Sequence, residues 1–188
     1  MRKMCFVFLL VAIACGRLSP APTDGGVRAE HVGLLHAVVR GFVMPQVFRG
    51  YEAQTSASAR VLLLDETVRC GFGESCAPAK AFVPSRGLPQ PGGEMMAIPP
   101  VNDPRVAIAH GREVRELIRG GTLDEVRRLY GNVVAVAALK RPTRLSTTVA
   151  SVQVSFFRGN QAVESWLVEV ERADAGWHVR QSQRLWIT

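Results

Sequence analysis

From residue 148 onward the chain alternates. Thr148, Ala150, Val152, Val154 and Phe156 take the even positions, and Ser151, Gln153 and Ser155 the odd ones. This two-residue period belongs to a strand with one buried and one wet face. Arg158-Gly159-Asn160-Gln161 then reads as a tight turn whose Gly-Asn pair suits positive φ. The return strand sets Trp166, Val168 and Val170 against Ser165, Glu169 and Glu171, with Leu167 breaking the rule, and a second turn over 173–176 leads to Trp177 and Val179 on one face. Residues 147–188 are therefore expected to form a meander of three consecutive antiparallel strands. Upstream, Val32, Leu35, Val39 and Phe42 recur at helical spacing and predict a helix over 27–42, capped by Thr23 or Asp24 and ended by Pro45. Residues 60–69 read as a buried strand that surfaces at Asp65-Glu66.

Asn102-Asp103-Pro104 marks a helix start, with Asp as cap and Pro in the first turn. The helix is predicted to reach Arg119, with Ala107, His110, Val114, Leu117 and Ile118 on its inner face, and to stop at Gly120-Gly121. Thr122-Leu123-Asp124-Glu125 has the form of a capping box opening a shorter helix that closes at Tyr130-Gly131. Residues 133–139 are apolar and Ala-rich, compatible with a strand or with a buried turn of helix, and Pro142 breaks the chain before the meander. The sum is an α+β domain, its helices packed on a carboxyl-terminal antiparallel meander of three or four strands.

Length and composition change this picture little. A chain of 188 residues with 47% hydrophobic and 21% charged residues is the size and make-up of one globular domain with an appended segment. Its basic residues are nearly all arginine and are scattered. The nearest cluster, over 140–144, has no interleaved aromatics, so nucleic acid is not an expected partner. A pI near 9.9 suits contact with anionic headgroups or polyanions.

The amino terminus carries the sharpest motif. Arg2 and Lys3 precede an uninterrupted apolar run over 4–14, too short for a permanent span, which needs about 20 residues, but matched to the hydrophobic region of an export signal. The run ends in Ala12-Ile13-Ala14-Cys15-Gly16. This resembles the lipobox of bacterial lipoproteins, with Ala12 standing where Leu is more usual. The resemblance implies cleavage before Cys15, palmitate-type acylation of its thiol, and removal of a signal peptide over 1–14. The formal charge of +7 would then fall by the two carried on Arg2 and Lys3, leaving +5 on the mature chain. Several acyl chains on one residue give a stable anchor where one is marginal. Gly16, being other than Asp, implies by the same resemblance an outer-membrane, periplasm-facing location. Residues 15–26, rich in Pro, Gly and small side chains, read as a tether, and 27–188 as the domain.

Export bears on the remaining cysteines. Cys70 and Cys76, with Gly71 and Gly73 between them, are placed to close a small disulfide loop in an oxidising compartment. No neighbouring His or third Cys completes a metal site, and no cofactor fingerprint is present. Asp65 and Glu66 point to opposite faces of a strand and do not form an acid–base pair. His31 and His36, five apart, lack metal-ligand spacing. Residues 77–104 hold seven prolines and three glycines, a loop long enough to suggest binding or mobility. Within it Met95, Met96 and Ile98 form an apolar patch that serves either as a binding surface or as a pin to the core.

The carboxyl-terminal part, with its strand opening at Gly176-Trp177-His178-Val179, looks like the end of NTF2-like or cystatin-like domains of small exported bacterial proteins. Those folds host enzymes and binding modules alike. The expected function is a lipid-anchored envelope protein with a non-catalytic binding or scaffold domain. The alternatives are a small-molecule enzyme with an NTF2-like pocket, using His110, Glu164 and His178 as acid–base groups, and an assembly or pilot lipoprotein of an envelope complex.

Overall fold

The amino-terminal apolar stripe folds into a helical rod longer than its periodicity predicts. The computed structural model describes residues 24–49, 58–68, 70–73 and 96–188. Helix α1, Asp24–Val38, runs directly into a π-helical turn, Val39–Val43, and then into helix α2, Met44–Phe48. Pro45 does not end the rod as expected; it lies in the first turn of α2. A proline inside an α-helix loses one N–H bond and presses its ring on the carbonyl four residues back. The wider turn before it, closed by the Met44 N–H on the Val39 carbonyl, is where the helix absorbs that clash. Leu34, Leu35, Val38, Val39, Phe42 and Val43 are buried, whereas Val32 is exposed, so the apolar stripe is rotated from the one predicted.

The rod covers one face of a mixed sheet. Its strands are β1, Arg60–Leu64; β2, Val106–Ala109; β3, Val133–Leu139; β4, Thr143–Arg144; β5, Val149–Phe157; β6, Val163–Ala173; and β7, Gly176–Ile187. Their order is β2-β1-β3-β5-β6-β7, with the two-residue β4 paired to β5. The predicted meander is present: Val152 faces Val168 across β5 and β6, and Val170 faces Val179 across β6 and β7. The first turn lies in positive φ at Gly159, Asn160 and Gln161, as its Gly-Asn pair requires. The domain is α+β, but its sheet is larger than a three- or four-stranded meander and is not wholly antiparallel. Both β2 and β3 run parallel to β1.

Two cores explain why those strands join. Val61 and Leu63 face the rod with Ala135, Ala137 and Phe156. On the reverse face, Leu62 and Leu64 pack with Val136, Ala138 and Val114 beneath helices α3, Gly111–Leu117, and α4, Asp124–Tyr130. Strands covered on both sides read as continuous apolar runs, and strands covered on one side alternate. That difference accounts both for the apolar 133–139, which is a central strand, and for the alternating 149–157.

The helix predicted over 104–119 is the main correction. Asp103 caps a turn by accepting the Arg105 N–H. Val106–Ala109 then enters the sheet beside β1, and the helix proper starts only at Gly111. Pairing with a buried neighbour outweighs the helix-start signal. The predicted capping box is not formed either: Leu123 precedes α4 and no side chain caps it. A 3₁₀ turn, Ile118–Gly120, ends α3 before Gly121, close to the predicted stop.

Candidate functional site

The three predicted acid–base residues are not brought together. Glu164 sits at the start of β6 on the rod face and is buried. Its carboxylate accepts from Arg158 Nε at 2.8 Å and from Trp166 Nε1 at 3.0 Å, and Arg158 Nη2 lies 2.7 Å away. The same guanidinium donates to the Gln46 carbonyl of α2 at 3.3 Å. Glu164 is thus committed to holding the rod on the sheet. His178 is exposed and lies opposite Glu171 on β7. Seven positions of β6 separate Glu171 from Glu164, about 23 Å of strand, with the two on opposite faces.

His110 does not lie on an inner helix face; it is exposed, between β2 and α3. Its Nδ1 lies 2.9 Å from Asp65 Oδ2, and Asp65 Oδ1 accepts the Gly111 N–H at 3.0 Å. Parallel pairing creates this contact, because β1 and β2 end side by side at Leu64 and Ala109 and the next residues are Asp65 and His110. The hydrogen bond to Asp65 and its charge raise the imidazole above its ordinary pKa, helped by Glu66 and Glu113. Burial pulls the Asp65 carboxyl upward, but bonds from His110 and the Gly111 N–H outweigh it and leave the group lowered. The pair orients one imidazole nitrogen at the carboxyl edge of the parallel strands.

Of the predicted binding patch, Ile98 is buried in the rod-side core. Met96 is half-buried, its N–H given to Thr67 Oγ1 and its carbonyl accepting the Thr67 N–H. Residues 96–98 therefore pin the chain to the end of β1, with Ala97 bridged to Glu66. Met95 lies outside the described residues, as do Cys15 and most of the Pro-rich loop. Cys70 is disulfide-bonded; the expected partner, Cys76, also lies outside them. Among the described residues no three His, Cys, Asp or Glu side chains form a group able to hold a metal, and no helix is long and apolar enough to cross a membrane.

A cleft of about 280 Å³ opens where the rod and β7 diverge. The rod contributes Phe42, Pro45, Gln46 and Arg49, and the sheet contributes Trp166, Val179, Arg180 and Ser182. At Gly41 the rod touches β7 so closely that an added Cβ would stand 2.8 Å from Val179 Cγ2. Next to that contact a bulge shifts the β6–β7 register between Glu169 and Val170, leaving Arg180 without a partner in the ladder. Bulges re-aim side chains in this way. Phe42 meets Trp166 edge-on with ring centroids 5.5 Å apart, and Arg184 lies 5.8 Å from the centroid of the Trp166 ring. Sequence reasoning missed this cleft, and Asp65 as the partner of His110. Neither bulge position nor a contact spanning 45 residues leaves a local pattern.

The architecture is that of a mixed-sheet α+β domain covered by helices on both faces. No protein-family model, curated protein or solved structure matches this chain.

Proposed function

We propose that the protein is a lipid-anchored component of the bacterial cell envelope, periplasm-facing and held in the outer membrane, whose α+β domain binds a partner without catalysing a reaction. The observation that carries the binding role is the cleft between rod and β7. It has an aromatic wall and two arginines, Arg49 and Arg180, without an acidic partner among the described residues. The anchor is supported by the apolar run over 4–14 that ends in Ala14-Cys15. Cys70 joins Cys76 in this reading, which suits an oxidising compartment.

Labelled palmitate tests the anchor. The wild-type protein takes up label and fractionates with membranes, and Cys15→Ser abolishes both. Label retained on the Cys15→Ser protein, or none on the wild type, overturns the anchor. Mass spectrometry after alkylation without reductant tests the pairing: a peptide linking Cys70 to Cys76 is expected, and alkylated Cys76 rules it out.

A further inference from the structure

We infer that the cleft is an oxyanion site: it takes a phosphate or carboxylate group, with the apolar remainder of the ligand lying against Phe42 and Trp166. The inference deepens the binding role proposed above and rests on it, but not on the lipid anchor. Among the described residues, the lining includes two arginines and no carboxylate. Two described acids on β6, the strand that carries Trp166, are already engaged. Glu164 is held by Arg158 and Trp166. Glu169, on the opposite face of the sheet, accepts from Gln181 Nε2 at 2.7 Å. The carboxyl end of the rod would itself repel an anion, yet two of its last carbonyls are occupied, Pro45 by the Arg49 N–H and Gln46 by Arg158.

What remains is Arg49 from the rod and Arg180 from the bulge, exposed on the two walls of one cleft, with the Gln46 side chain and the Ser182 hydroxyl beside them. Guanidinium groups bind planar or tetrahedral oxyanions through paired, charge-assisted bonds. The volume is at the low end for small-molecule sites, so it fits a headgroup or a small acid and not a folded chain segment. The occupant's chemistry is therefore set by charge, while its source is either a lipid headgroup or a free small acid.

The experiment uses the full-length protein carrying Cys15→Ser, in neutral detergent, followed by heteronuclear NMR. Inorganic phosphate is titrated in one arm; in the other the protein is mixed with phosphatidylcholine vesicles with and without phosphatidylglycerol. Saturable shifts at the amides of 180–182 and at the Trp166 indole are expected with phosphate. The Arg49→Gln/Arg180→Gln variant should weaken them by about tenfold or more, and Arg49→Lys/Arg180→Lys should retain part of the affinity. Both substitutions are at exposed positions, and an unchanged thermal transition checks that the variant is folded. Vesicle binding that needs phosphatidylglycerol and is lost in the Gln variant identifies a headgroup as the source; phosphate binding alone identifies a free acid. A response equal in wild type and Gln variant, or none in either arm, overturns the oxyanion site. A Cys15 that carries no lipid would overturn the anchor and leave this result standing.

Discussion

The Asp65 carboxylate takes two donors at once, one from the His110 ring and one from the backbone of Gly111. It therefore fastens the end of β1 to the start of α3 in a pH-dependent way. His110 is raised from its ordinary 6.5, so its contribution is complete below that value and disappears as pH rises through the folded-state pKa. Asp65 is lowered from 3.8, so its contribution is present above that value and disappears as pH falls through the lowered one. The contact is strongest in mildly acidic solution. An NMR titration should show the His110 midpoint falling in Asp65→Asn; an unchanged midpoint would mean that the pair does not form in solution. Gly41 makes the second residue-scale case. Alanine is the better helix former by roughly 0.5–1 kcal/mol, but its Cβ would stand 2.8 Å from Val179 Cγ2. Val179 is β-branched and has little rotamer freedom to yield. Overpacking of this kind costs about 1–3 kcal/mol, so Gly41→Ala should lower the urea midpoint, and adding Val179→Ala should recover part of the loss.

The elements differ in how openly the sequence announced them. The strands of 149–187 were legible because, apart from the ends near Phe157 and Val163, only one of their faces is covered by a helix, and the alternation records it. The run 133–139 was not, because β3 lies under both cores and an unbroken apolar heptad has no period to read. Residues 106–109 were misread: Val106 to Ala109 has no helical signature of its own, and the Asp103-Pro104 cap before it pointed the wrong way until β1 supplied a parallel neighbour. The rod was legible as a helix but not in length, since only the π-helical turn at Val39–Val43 lets Pro45 stay inside it. The rod's two ends are held by different forces. Near its start Glu30 pairs with Arg144 and Arg172, and exposed pairs contribute about 0–1 kcal/mol and weaken with salt. At its other end Arg158 joins buried Glu164 to the Gln46 carbonyl. Replacing Arg158 by Leu strips that carboxylate of its cation and leaves only the Trp166 indole donating to it, at a cost of about 3 kcal/mol. Denaturant titration should show Arg158→Leu far more damaging than Arg144→Leu, and equal effects would mean that the buried pair is not what holds the rod.

At the scale of the whole molecule, one sheet serves two cores and ties their stabilities together. Leu62 and Leu63 are neighbours on β1, yet one packs under α3 and α4 and the other under the rod. Strand β3 repeats the arrangement with Ala137 and Val136. Neither layer of helices can leave without exposing strands that also form the floor of the other. This coupling explains why the cleft and the His110–Asp65 pair escaped sequence reading, whereas the single-face meander did not. Each joins residues that meet only after the sheet has assembled: Arg49 and Arg180 are brought into one cleft by rod and β7, and Asp65 reaches His110 through β1 and β2. It also yields a thermodynamic prediction. Phe156→Ala empties space in the rod-side core and Leu62→Ala does so in the opposite one, with expected losses of about 3–5 and 2–5 kcal/mol. If the sheet couples them, either substitution lowers a single unfolding transition, seen at the same denaturant concentration by tryptophan fluorescence and by far-UV circular dichroism. A split into two transitions, with Phe156→Ala moving only one and Leu62→Ala only the other, would show that the helical layers come away independently and that the mixed sheet is not the cooperative unit.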